Sequence, residues 1–194
     1  MNAKKLALSL FALVAVAAFG YGQARAAEIT YFVATDSWDP FGLFGAPIGA
    51  VLVPPTVICP GSAPTGDPMQ ICPPGSRIHL QDMKHLSRFD SPDPRFTGWA
   101  TVGDHVANYD ADAAGLEVGT LSLLLDNGVG TWEGTWTGRR VREGDHWIHA
   151  LLITAHGTSG TVNGLQAVWM HRFTTYTPVP LAYFAVAEGR LLEP

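Results

Sequence analysis

Lysine is almost missing from this chain once its first five residues are set aside. Lys84 is the one lysine beyond Lys4 and Lys5. Basic side chains number 12 against 17 acidic ones, and three of the 12 (Lys4, Lys5 and Arg25) stand within the first 26 residues. Residues 27–194 therefore carry a formal net charge of −8. A surface of that sign attracts neither a phosphate backbone nor anionic lipid, so no nucleic acid is expected as a partner. Cysteine is also scarce, at two. That excludes a zinc-ribbon framework and a disulfide-dense miniature scaffold. Motifs that announce common chemistries are absent. There is no G-x-S-x-G, no G-x-x-x-x-G-K and no G-x-G-x-x-G opening a helix. No amphipathic stretch with a 3.6-residue period is long enough to make a convincing helix.

Long apolar runs are missing as well, with one exception at the start. Leu6–Phe19 is 14 residues with only Ser9 as a polar interruption. Lys4 and Lys5 precede it, and Ala24-Arg25-Ala26 supplies a small-x-small cleavage pattern. A membrane-spanning helix needs about 20 residues. Residues 1–26 therefore read as a secretory signal peptide, with an uncleaved interfacial helix as the alternative. The expected mature protein is exported, periplasmic or secreted, with no membrane contact after cleavage. It is one domain over 27–194, long enough to bury a core.

What the chain does have is strand and turn chemistry. Ile29–Ala34 is a first strand. Residues 36–76 are crowded with proline and glycine and read as a long loop or cap. Cys59 and Cys72 lie 13 positions apart in it. In an oxidising compartment they are expected to form a disulfide, worth about 3 kcal/mol by loop closure. A metal or redox pair is the alternative, without a C-x-x-C to support it. Strands then follow at Arg77–Met83, Phe96–Asn108, Leu116–Leu125, Thr131–Val141, His146–His156, Leu165–Thr175 and Ala182–Leu192. Turn signals separate them: Asp126-Asn127-Gly128, read as a type I′ hairpin turn, Glu143-Gly144-Asp145, Asn163-Gly164 and Thr177-Pro178-Val179-Pro180. The fold class is all-β. The expectation is an eight-stranded antiparallel up-and-down barrel with a long disulfide-closed N-terminal loop, and a two-sheet sandwich is the runner-up.

Alternation assigns faces. Trp132 and Trp136 share one face of their strand, read as the interior, and Glu133 takes the other. Residues 146–153 are apolar on both faces, which implies a cover on both. That cover is a second copy of the chain, making a homo-oligomer, or it is Phe41, Leu43, Phe44, Ile48 and Val51 of the long loop.

Four segments resemble elements of small exported bacterial barrels. Ser91-Pro92-Asp93-Pro94-Arg95-Phe96-Thr97-Gly98 resembles an S-D-P-R-x-x-G element with Pro92 inserted. Gly130-Thr131-Trp132-Glu133-Gly134-Thr135-Trp136-Thr137-Gly138 resembles a G-x-W-x-G-x-W-x-G strand. Gly157–Leu165 loosely resembles a G-x-G-x-x-x-G-L element, and Cys72–His79 the start of the barrel. Over residues 72–190 the chain is thus similar to the allene oxide cyclase-like barrels, which include dirigent proteins and spirotetronate cyclases within the lipocalin-type architecture. The resemblance implies the barrel and, by analogy, oligomers and cyclisation by substrate positioning. It carries no catalytic residue over.

Site candidates therefore come from the expected lumen. Trp99, Trp136, Trp147, Trp169, His149 and His171 are candidates to line a cavity for a hydrophobic or aromatic small molecule. Arg95 is a further candidate, with a structural bond to a carboxylate as its other reading. Glu133 is a candidate acid or base. His146 and His149 fall on opposite faces of a strand, while His149 and His171 could face each other across a ladder. No metal site and no cofactor is expected. A filled core, serving a non-catalytic interaction or structural module, is the competing reading, because an eight-stranded barrel is only just wide enough for one small ligand.

Overall fold

A computed structural model describes residues 28–59, 77–110, 115–176 and 182–193. The signal peptide, Cys72 and the whole Thr177–Pro180 turn lie outside the described residues. Ten strands form: β1 (Glu28–Trp38), β2 (Ala50–Val53), β3 (Thr56–Ile58), β4 (Arg77–Asp90), β5 (Gly98–Asp110), β6 (Gly115–Leu125), β7 (Gly130–Glu143), β8 (His146–Gly160), β9 (Gln166–Thr175) and β10 (Tyr183–Glu193). Eight of them, β1 and β4 to β10, pair antiparallel with their neighbours in chain order, and β10 returns to β1. The ring closes where Thr35–Ser37 of β1 meet Arg88–Asp90 of β4. The fold is a closed eight-stranded antiparallel barrel.

The stretch read as a loop from residue 36 is partly strand. β1 runs on to Trp38, and β2 and β3 lie along the upper part of β4, opposite Leu86–Lys84 and Gln81–His79. β4 is 14 residues long and overshoots β1, so its exposed edge takes two more partners. β4 also runs seven residues past the expected end at Met83. Asp82 explains the misreading. It holds φ at +58°, a left-handed conformation that aspartate tolerates better than most residues. This breaks the alternation, so that Leu80 and Met83 both point inward, and the inward set then continues as His85, Ser87 and Phe89. The β6–β7 turn differs too. It is a 3₁₀ turn over Asp126–Gly128, with Gly128 at a φ of 65°, in place of the expected type I′ turn. Cys59 follows β3, is buried and is not a free thiol.

One end of the barrel is plugged by aromatic rings. The β4–β5 connection makes a 3₁₀ turn at Pro94–Phe96, capped by the Asp93 carboxylate, which accepts from the Arg95 amide. The turn drives Phe96 into the barrel. Its ring stacks on Phe32 at 3.6 Å and on Trp132 at 5.3 Å, with Trp169 edge-on at 6.2 Å. Trp132 Nε1–H donates to the Arg95 carbonyl at 2.7 Å. The Arg95 guanidinium donates to both oxygens of Asp93 and pairs with Glu193, so its role is to fix this cap. Trp132 and Trp136 are both buried on the inner face of β7, as alternation required.

The plug gives a direct expectation. Trp132→Ala removes a fully buried ring together with its hydrogen bond. Urea unfolding should show a loss of about 3–5 kcal/mol, the range for large-to-small core changes.

Candidate functional site

Above the plug the lumen changes character. Strand alternation turns Asp36 and Trp38 of β1, His85 and Ser87 of β4, Glu117 of β6, Arg140 of β7, His149 of β8, His171 and Thr175 of β9, and Tyr183 of β10 away from solvent, and all are buried. Buried ionisable groups are expensive unless hydrogen-bonded, so such a concentration needs explanation.

The polar groups divide into two sets. In the first, the Tyr183 hydroxyl donates to Asp36 Oδ2 at 3.0 Å. Its proton is thereby committed, so His85 Nε2, 3.0 Å away, donates to the tyrosine oxygen. His171 Nε2 lies 3.3 Å from Asp36 Oδ2 but is not aligned for a hydrogen bond. In the second set, His149 Nδ1 lies 3.0 Å from Glu117 Oε1, and His149 Nε2 lies 3.0 Å from Thr175 Oγ1. The His149 ring stacks on Phe173 at 4.3 Å. A carboxylate, an imidazole and a hydroxyl thus stand in line, with the carboxylate orienting the imidazole.

Between the two sets lies a cavity of about 50 Å³. His85, His171 and Tyr183 border it on one side and Glu117 on the other, with Trp38, Trp136, Met83, Leu121, Leu151 and Ile153 completing an apolar wall. Gly119 is what lets Trp136 lie there. A Cβ at Gly119 would meet the indole ring at 2.4 Å and the Gly103 carbonyl at 2.0 Å.

The sequence candidates scatter. Trp136 and His171 line the cavity. His149 is buried behind Glu117. Trp147 is buried near the rim, with the Arg140 and Arg142 guanidinium groups at 5.4 and 5.3 Å from its ring. Trp169 belongs to the plug. Trp99 is corrected: it is 39% exposed on the outer wall, with the Arg88 guanidinium over it. Glu133 is on the outer wall too and accepts from Ser122 at 2.7 Å. His149 and His171 do not face each other, because the register sets His149 opposite Phe173 and His171 opposite Leu151. Among the described residues no three His, Cys, Asp or Glu side chains are grouped as a metal site. Asp36, Trp38, His85, Glu117 and Tyr183 were missed. Alternation could have found Asp36, which shares parity with Phe32, Ala34 and Trp38.

No protein-family model matches the chain, and neither does any curated protein or solved structure. What is established is the class of fold, an eight-stranded antiparallel β-barrel.

Burial raises the Asp36 carboxyl to about 7, against the opposing pull of Ser87, the charge on His85 and the Tyr183 hydrogen bond. Burial, aided by His85, lowers His171 to about 3. Asp36 and His171 are thus both neutral in mildly acidic solution. Between about pH 4 and 7 the native state holds an Asp36 proton that the unfolded chain has lost, so this group destabilises as pH rises. Between about 6.5 and 3 the unfolded chain holds a His171 proton that the native state refuses, so that group destabilises as pH falls. From about pH 4 to 6.5 the two slopes cancel. Asp36→Asn should unmask His171, giving stability that rises by about 1.4 kcal/mol per pH unit over this range. His171→Gln should give the opposite slope. Urea midpoints of both variants across pH 4–7 test this, and parallel profiles for both would refute the assignment.

Proposed function

We propose that this chain is an exported small-molecule-binding barrel whose upper lumen holds the polar end of its ligand and exchanges protons with it. One observation carries the reading. Four titratable side chains, His85, His171, Tyr183 and Glu117, line one mainly apolar cavity, and a fifth, Asp36, accepts from the Tyr183 hydroxyl. Perturbed titratable groups beside a cavity make it a candidate functional site.

The cavity also narrows the expectation. At about 50 Å³ it is far below the roughly 300 Å³ of a pocket that encloses a drug-sized ligand. A hydrophobic or aromatic compound would therefore place only its polar tip inside. Cyclisation by substrate positioning, which the resemblance to allene oxide cyclase-like barrels implies, fits a site that supplies walls and a proton donor. A Cys59–Cys72 disulfide would close the loop that leads from β3 to β4. The second reading, a non-catalytic module with a filled core, is favoured by the solid plug of Phe32, Phe96, Trp132 and Trp169.

Native mass spectrometry of the mature protein purified from its host separates the two. A co-purifying small molecule, lost from Tyr183→Phe and His171→Gln variants that keep their fold, is the expected result. A clean polypeptide mass in every preparation would favour the module.

Assembly belongs to the same proposal. Phe44 meets Phe184 of β10 at 5.7 Å. Yet Phe41, Leu43 and Phe44 each stay more than half exposed, and Leu152 of β8 remains 42% exposed. The long loop thus leaves the outer apolar face of β8 open, and a second copy of the chain is the cover we propose. Light scattering at micromolar concentration should give at least twice the monomer mass, and Leu152→Glu should return it to the monomer.

A further inference from the structure

We infer that the upper lumen selects a small molecule, or a small projecting group of a larger one, that carries a carbonyl or carboxyl oxygen. The inference rests on the reading of this lumen as a ligand site, and it names what the site would recognise.

Trp38 Nε1 and His171 Nε2 are buried side-chain atoms with no hydrogen-bond partner. Both residues line the cavity, and they are 2% and 5% exposed. Buried polar atoms are hydrogen-bonded in the great majority of cases, so each exception asks for an explanation. An indole N–H is a donor only, so whatever answers Trp38 must be an acceptor. The Trp38 and His171 rings are 5.7 and 6.0 Å from the Tyr183 ring. His171 Nε2 has Asp36 Oδ2 at 3.3 Å, so it is the Trp38 N–H that sets the need for an acceptor.

Volume sets the size. A cavity of about 50 Å³ lies far below the roughly 300 Å³ of a pocket that takes up a drug-sized ligand, so only a small group enters it whole. The walls exclude a purely polar guest, because Met83, Val102, Leu121, Leu151 and Ile153 supply most of the remaining lining. A short-chain carboxylic acid or amide, with one polar end and one apolar end, matches both requirements. Two other unanswered indole nitrogens, those of Trp147 and Trp169, do not border the cavity and serve as internal controls.

Two-dimensional NMR of uniformly ¹³C,¹⁵N-labelled protein reads the indole N–H and the leucine methyl signals directly. The probes are acetate, acetamide, benzoate and xenon. Acetate or acetamide should move the Trp38 indole proton downfield by several tenths of a part per million, saturably, with Trp147 and Trp169 unmoved. His171→Gln should weaken that binding at least tenfold. If benzoate moves Trp38 as strongly, the carboxyl selection is supported, with the carboxylate entering as the projecting group. If only xenon perturbs the signals of Leu121 and Leu151, the carbonyl selectivity is overturned, again without harm to the site. If no probe changes any of these signals, both the selectivity and the reading of the lumen as a ligand site fail.

Discussion

Three residue pairs close this barrel, and the rest of the structure depends on them. Thr35, Asp36 and Ser37 of β1 meet Asp90, Phe89 and Arg88 of β4, and no other pairing joins these two strands. An open sheet would leave a row of unpaired backbone groups on each side. Closure removes those edges and fixes which residues share the lumen. Asp36 sits in the middle of the seam, directly opposite Phe89. It is therefore carried inward by the same pairing that shuts the wall. On the outside of the seam, the Arg88 guanidinium clamps Asp126 at 2.7 Å through both nitrogens and also holds Asp90. The seam is thereby tied to the β6–β7 turn, two strands further round the wall.

The two ends of the lumen obey different physics. At the plugged end, stacked rings gain from burial and ask little of solvent. At the other, the chain buries carboxyl, imidazole and phenol groups whose desolvation opposes folding. The hydrogen bonds from Tyr183 to Asp36 and from His149 to Glu117 offset part of that opposition. A domain that needed only stability would gain by replacing such a group with well-packed apolar side chains. Retaining it in a barrel stiffened at its far end is consistent with a site held rigid from below.

Much of the wall was legible in the sequence, because a period of two is visible wherever one face is buried. β7 shows it best, with Trp132 and Trp136 inside and Glu133 outside. The reading failed where local geometry overrode the period. Asp82 shifts the phase of β4 and hid His85 and Ser87 behind an apparent strand end. The site was less legible for a related reason. Tryptophan marks burial but not depth, so Trp136 in the cavity, Trp169 in the plug and Trp99 on the outer wall look alike in one dimension. Register decides depth, and register is a property of strand pairs. Asp36 and Tyr183 are 147 positions apart, and only the β1–β10 pairing brings their side chains together.

The β1–β10 pairing has a different consequence for handling the molecule. Glu28 and Glu193 are opposite partners at the plugged end. The first and last described residues are thus neighbours, on the side of the barrel away from the cavity. A fusion partner, affinity tag or surface tether attached beyond either residue would emerge beneath the plug. Joining the two ends by a short linker and opening the chain at Gly144, a turn glycine with φ of 63° between β7 and β8, would make a circular permutant that keeps every strand pair intact.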